Sequence, residues 1–196
     1  MRKLMPILFL CLVADCSAPA LANAEQDSRL VQQGYTQLMG GKAADAVKTL
    51  TQAIRVNPAN MDARRYLGAA LLQTGMPERA VDQLKALMQS PKALPTDANL
   101  LGQAYLQMQR YDLAIAAFNQ VLKVDLVNDT AHSGLIDCYV ASGKEAMARS
   151  ICAHGLQVAR TAASRQKFQN KLNSLAEPTP TPTTPNSSGT EEAPNS

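Results

Sequence analysis

Apolar residues recur along residues 27–176 at the three- and four-residue steps of amphipathic helices, with polar positions between them. Ala46 with Leu50, Ala80 with Leu84, and Ala114 with Phe118 are pairs one helical turn apart, and each pair lies 34 residues beyond the last. The same interval separates Gly34, Gly68 and Gly102, and it carries the alanine series on to Ala148. A fixed period of this size marks a repeat array. Glycine inside a helix costs about 0.5–1 kcal/mol relative to alanine, so three in register point to close helix contact.

Divided at 27–60, 61–94, 95–128 and 129–162, the repeats carry no insertion or deletion, and each resolves into two helical stretches around a short turn. Gly40-Gly41, Gly75-Met76-Pro77, Gln109-Arg110 and Gly143-Lys144 mark those turns. Asn57-Pro58 and Ser90-Pro91 end the second helices of the first two repeats, because proline cannot continue a helix. Residues 163–176 place Phe168, Leu172 and Leu175 among Arg165, Lys167 and Lys171, which predicts a capping helix with a solvated outer side. The fold expected is all-α, with a repeat domain over 25–176.

The pattern resembles that of the tetratricopeptide repeat family: Leu-Gly, two residues, Tyr, then Ala, three residues, Phe, and finally Pro. The third repeat fits best, with Leu101-Gly102, Tyr105, Ala114 and Phe118, although Leu126 stands where proline is expected. The second keeps Leu67-Gly68, Ala80 and Leu84, and the first keeps Gly34, Ala46, Leu50 and Pro58. In the fourth, Leu135, Tyr139 and Ala148 remain, but Ile136 replaces the glycine and Cys152 the aromatic, which puts its local packing in question.

The resemblance covers 136 of 196 residues. It implies a right-handed superhelical solenoid of four helix-turn-helix repeats, with a concave wall built mainly from the first helix of each. A protein or peptide partner would lie along that wall, against Val31, Gln32, Tyr35, Arg65, Tyr66, Asn99, Gln103 and Asp137. Tyr35, Arg65 and Tyr66 are the first anchor candidates, since tyrosine and arginine dominate interface energetics; the alternative is that the tyrosines pack against neighbouring helices. Leu38, Leu72, Leu106 and Val140 form another row at the 34-residue interval, suited to packing between repeats or to lining the groove. Some relatives grip a terminal carboxylate with lysine, asparagine and arginine; Val31, Tyr35, Tyr66, Asn99 and Gln103 at the corresponding positions do not carry that activity over.

The chain's two ends differ from its middle. Arg2 and Lys3, an apolar run of 11 residues over 4–14, and the small-residue stretch Ala20-Leu21-Ala22-Asn23-Ala24 read as a signal peptide over 1–24, cleaved after Ala22 or Ala24. The run falls short of the roughly 20 residues that span a bilayer. A periplasmic or secreted protein is therefore expected. Leu12-Val13-Ala14-Asp15-Cys16-Ser17 also resembles a bacterial lipoprotein box, in which Cys16 would carry lipid and anchor the protein in the outer membrane; Asp15 departs from the small residue that pattern wants. From 177 to 196, proline at every second or third position and no apolar periodicity predict a disordered tail.

Charge adds mainly exclusions. Nineteen basic and 16 acidic residues give +3, and removal of 1–24 leaves 17 and 15, so nothing indicates a nucleic-acid partner. Membrane association is expected only if Cys16 is lipidated. Beyond the leader, Cys138 and Cys152 are an even pair that can bridge in an oxidising compartment, or act as two small buried thiols. His132 and His154, 22 residues apart, fit no local metal motif and read as surface or flank residues. With no phosphate loop, nucleophile elbow or paired carboxylates, neither catalysis nor a cofactor is expected. The reading is a non-catalytic envelope scaffold; the alternatives are a lipid-anchored assembly factor of a pilus or secretion system, or a homo-oligomeric structural protein.

Overall fold

The computed structural model describes residues 18–175. Most of the expected leader, with Cys16, and the Pro/Thr-rich tail lie outside the described residues. Within them the chain forms α1 (Ala18–Met39), α2 (Ala43–Val56), α3 (Met61–Gln73), α4 (Pro77–Met88), α5 (Pro95–Gln107), α6 (Tyr111–Val124), α7 (Asp129–Ala141), α8 (Glu145–Val158) and α9 (Ala162–Ser174), and no strand.

Each helix packs on the next in sequence, and α1, α3, α5 and α7 also touch one another in turn. No comparable row of contacts joins α2, α4, α6 and α8. Helices α1, α3, α5 and α7 therefore form the shorter, inner wall of a curved all-α solenoid.

Hairpin closure depends on size complementarity. A β-carbon on Gly34 would fall 2.5 Å from Leu50, one on Gly68 2.8 Å from Leu84, and one on Gly102 2.7 Å from Phe118, closer than side chains tolerate. In the fourth hairpin the partners exchange sizes: Ile136 supplies the bulk, Cys152 the small group, and both are wholly buried. Gly134, two residues earlier, leaves room for Phe118 of the preceding repeat, whose ring an added β-carbon would meet at 2.3 Å. The departures from pattern in the fourth repeat thus compensate one another.

The turns within the hairpins share one backbone. Gly41, Gly75 and Gly143 have φ of 74°, 72° and 73°, and the equivalent residue of the third repeat, Gln109, is held at 58°. Between repeats, Asn60, Asn128 and Thr161 cap α3, α7 and α9 by accepting from Ala63, Ala131 and Ser164 backbone N–H. Leu94 stands at the corresponding position before α5 and cannot cap, so Asp97 reaches back to accept from Leu94 N–H at 2.9 Å.

Candidate partner-binding groove

The inner wall begins with a ring pair. Tyr35 of α1 is 38% exposed and stacks on half-buried Tyr66 of α3, with centroids 5.0 Å apart and planes at 45°. Gln32 beside them is exposed and Val31 half-buried. Towards the other end, Gln103, Leu106 and Gln107 of α5, Thr130, Ser133 and Asp137 of α7, and Lys167 of α9 line a cleft of about 350 Å³. The exposed carboxylate of Asp137 in that cleft accepts from Lys171 of α9. Amides and hydroxyls along this surface can pair with a peptide backbone, and the tyrosine rings offer apolar faces.

Two residues expected on the wall are occupied in joining repeats. Arg65 keeps 13% of its side chain exposed and holds the wholly buried Asp97 of the next repeat, with Nε at 2.5 Å and Nη2 at 3.1 Å. Its Nη1 also reaches Asp62. The hydrogen bond to Asp97 is the main reason its pKa is raised, with burial opposing. Asn99 is likewise buried, and its amide donates to Asn128 Oδ1 at 3.1 Å. The Leu38 row grades along the solenoid: Leu38 and Leu72 are buried, Leu106 borders the cleft, and Val140 is exposed.

No bridge joins Cys138 and Cys152, which are free, buried thiols. Cys138 lies two residues beyond Ile136, a rotation of about 200° around the helix, so it faces a different side from the residue that meets Cys152. The thiols accordingly sit in separate apolar clusters, Cys138 with the first three repeats and Cys152 with Ile136 and Phe168. Burial, with a smaller effect from Asp137, pushes the Cys138 thiol up to about 11, and burial also raises Cys152. Both are poor nucleophiles near neutrality.

The histidine expectation is corrected for His132. Its ring is wholly buried, with Nδ1 3.1 Å from Asn128 O and Nε2 3.1 Å from Nδ1 of exposed His154. Burial is the largest cause holding the His132 pKa below its ordinary value. The pairing follows from antiparallel helices: His132 lies one turn before Ile136, His154 two residues after Cys152, and both steps lead towards the same end of the hairpin. That construction was available from the repeat pattern; spacing along the chain was the wrong measure. Among the described residues, no three His, Cys, Asp or Glu side chains gather to hold a metal, and no helix is long and apolar enough to cross a membrane.

The profile of the tetratricopeptide repeat family matches residues 31–97 and 99–163. Among solved structures, a thermophilic tetratricopeptide repeat protein from Thermus thermophilus superposes with a TM-score of 0.63 at 17% identity, covering 76% of this chain and 80% of that one. MamA of AMB-1 gives 0.62 at 22% identity over 78% of this chain and 81% of its own. MamA from Desulfovibrio magneticus RS-1 gives 0.61 at 21% identity over 74% and 77%. At such identities the likeness is one of fold. Among curated proteins no match is found. Two family matches that together span most of the chain, on a solenoid of paired helices with an inner wall, make this chain a member of the tetratricopeptide repeat family.

Proposed function

We propose that the protein is a non-catalytic scaffold of the bacterial envelope that holds an extended or helical protein segment against its inner wall. The observation that carries this reading is the open cleft between α5, α7 and α9, which lies on the same wall as the exposed tyrosine pair. Aromatic anchors at one end and backbone-pairing amides at the other suit a segment laid across the repeats. Proteins of this family are generally scaffolds, and the titratable groups here favour the same role, since the cysteines are inert and the only carboxylate lining the cleft is paired with a lysine.

Export is supported by the leader-like residues 1–24 and by the burial pattern of α1. Asn23, Ala24, Glu25 and Gln26 are exposed, and Asp27 after them is buried, accepting from Asn57 and Asn60 at 2.7 and 2.8 Å. Cleavage after Ala22 or Ala24 would spare that junction.

The test is to recover the protein from its native envelope after mild crosslinking, mapping crosslinked residues and the mature first residue. The reading expects a second protein joined through Lys167 or Lys171, with Asn23 or Glu25 first. Replacing Tyr35 and Tyr66 together by alanine should weaken capture by about 2 kcal/mol or more, roughly 30-fold. Undiminished capture by that variant would remove the groove from the account. A lipidated Cys16 as first residue would replace it with the anchored assembly factor, and self-crosslinks alone with the homo-oligomer.

A further inference from the structure

The histidine pair sits where the last helix joins the array. His132 meets Phe168 of α9 edge-on, with ring centroids 5.9 Å apart and planes at 72°. Phe168 is wholly buried and lies against Gly155, where an added β-carbon would touch the ring at 3.1 Å. As an element α9 packs on α8; side-chain links from Ser164 to Asp129 and from Lys171 to Asp137 tie it to α7. The small apolar cluster around Phe168 is therefore the main seat of this helix.

Hydrogen-bond chemistry assigns the protons. The Asn128 carbonyl can only accept, so His132 Nδ1 carries its hydrogen and Nε2 presents a lone pair, which accepts from His154 Nδ1–H. A proton added at His154 Nε2 leaves this chain of bonds intact. A second proton, at His132 Nε2, sets two N–H groups head to head at the same contact and places a cation in the apolar seat of Phe168.

We propose that His132 and His154 form an acid-opened latch: when both rings are protonated, α9 leaves the end of the solenoid. Lys167 leaves the cleft wall with it, and the apolar face of Phe168 is uncovered. The latch does not depend on what the groove binds.

The charged surroundings of His132 are mixed. Asp129 on α7 and Asp125 in the loop before it favour the protonated ring, although Asp125 accepts from Asn128 and Asp129 from Ser164. From α8, His154 opposes it, and α9 presents the uncharged ring of Phe168, with Lys171 spent on Asp137. Burial outweighs the carboxylates and lowers the His132 pKa. A released, hydrated ring takes its proton near the ordinary value of about 6.5, whereas the docked ring takes it only at lower pH. Docking is therefore at full strength above that value and weakens as pH falls through the window beneath it.

Amide hydrogen exchange of residues 162–174 at about pH 7.5 and about pH 5, corrected for intrinsic rates, tests the latch. The expected result is a loss of protection of about tenfold or more in α9 at the lower pH, with α3 to α6 unchanged. Phe168→Ala supplies the signature of a released helix at both values. His154→Gln keeps a donor for His132 Nε2 and can turn its amide oxygen to accept from that nitrogen once it is protonated, so it should fold normally and lose protection only at lower pH than the wild type. Equal protection of α9 at the two pH values would overturn the proposal. So would a His154→Gln profile that follows the wild type, or protection lost throughout the solenoid together.

Discussion

At the scale of the residue, the Arg65–Asp97 pair shows how a groove-facing position becomes structural. Asp97 is wholly buried, and it accepts from both Arg65 and the Leu94 backbone because leucine cannot cap α5. Truncating the arginine strands a carboxylate away from water, the costly way to break such a pair. Arg65→Ala should therefore lower stability by about 3 kcal/mol, read from the urea midpoint. Arg64→Ala next to it removes only contacts with the Pro58 carbonyl and Gln83 and should cost below about 1 kcal/mol. Equal losses at the two positions would show that Asp97 finds another partner or protonates. Gln109 supplies a second case. Its φ of 58° is the left-handed conformation that glycine adopts in the other three turns. A side chain there costs about 1–2 kcal/mol, partly offset by the extra freedom glycine gives the unfolded chain, so Gln109→Gly should stabilise by about 0.5–1 kcal/mol in the same assay.

At the scale of the element, each hairpin closes on one large and one small side chain, and either helix can supply either. Ile136→Gly should remove buried volume and cost about 2–5 kcal/mol. Cys152→Leu alone should overpack the same site by about 1–3 kcal/mol. Combined, they recreate the Gly68–Leu84 arrangement, and thermal unfolding of the double variant should fall well short of the summed losses. Strict additivity would mean that the two positions are not exchanging volume. The same hairpins show what sequence could reveal. Glycine and a large apolar partner at a fixed interval disclosed the helices, because a missing β-carbon and the bulk that fills its place recur in the first three repeats. Arg65, Asn99 and His132 were harder to read, since their partners lie on another helix or another repeat. Arg65 and Asn99 sat at positions where the family pattern suggested exposure, but Arg65 is claimed by a carboxylate of the next repeat and Asn99 by the asparagine that caps α7.

At the scale of the whole molecule, contacts run from each helix to its neighbours, so stability is a chain of local interfaces rather than one shared core. The apolar interior divides accordingly. One cluster runs from Leu38 to Cys138 and joins α1 to α7; the second contains Ile136, Ala148, Cys152, Ala159 and Phe168 and joins α7 to α9. With fewer buried groups to lose, the second should open first. In rising urea near neutral pH, amide exchange should reach α8 and α9 while α3 to α6 stay protected, giving two separated transitions by residue. Leu84→Ala, in the first cluster, should move the later transition and leave the earlier one in place. Ile136→Gly should do the reverse, provided the two clusters are energetically separate. A single transition common to all helices, shifted alike by both substitutions, would show that Tyr139 and Ile151, which pack against both clusters, couple them into one cooperative unit.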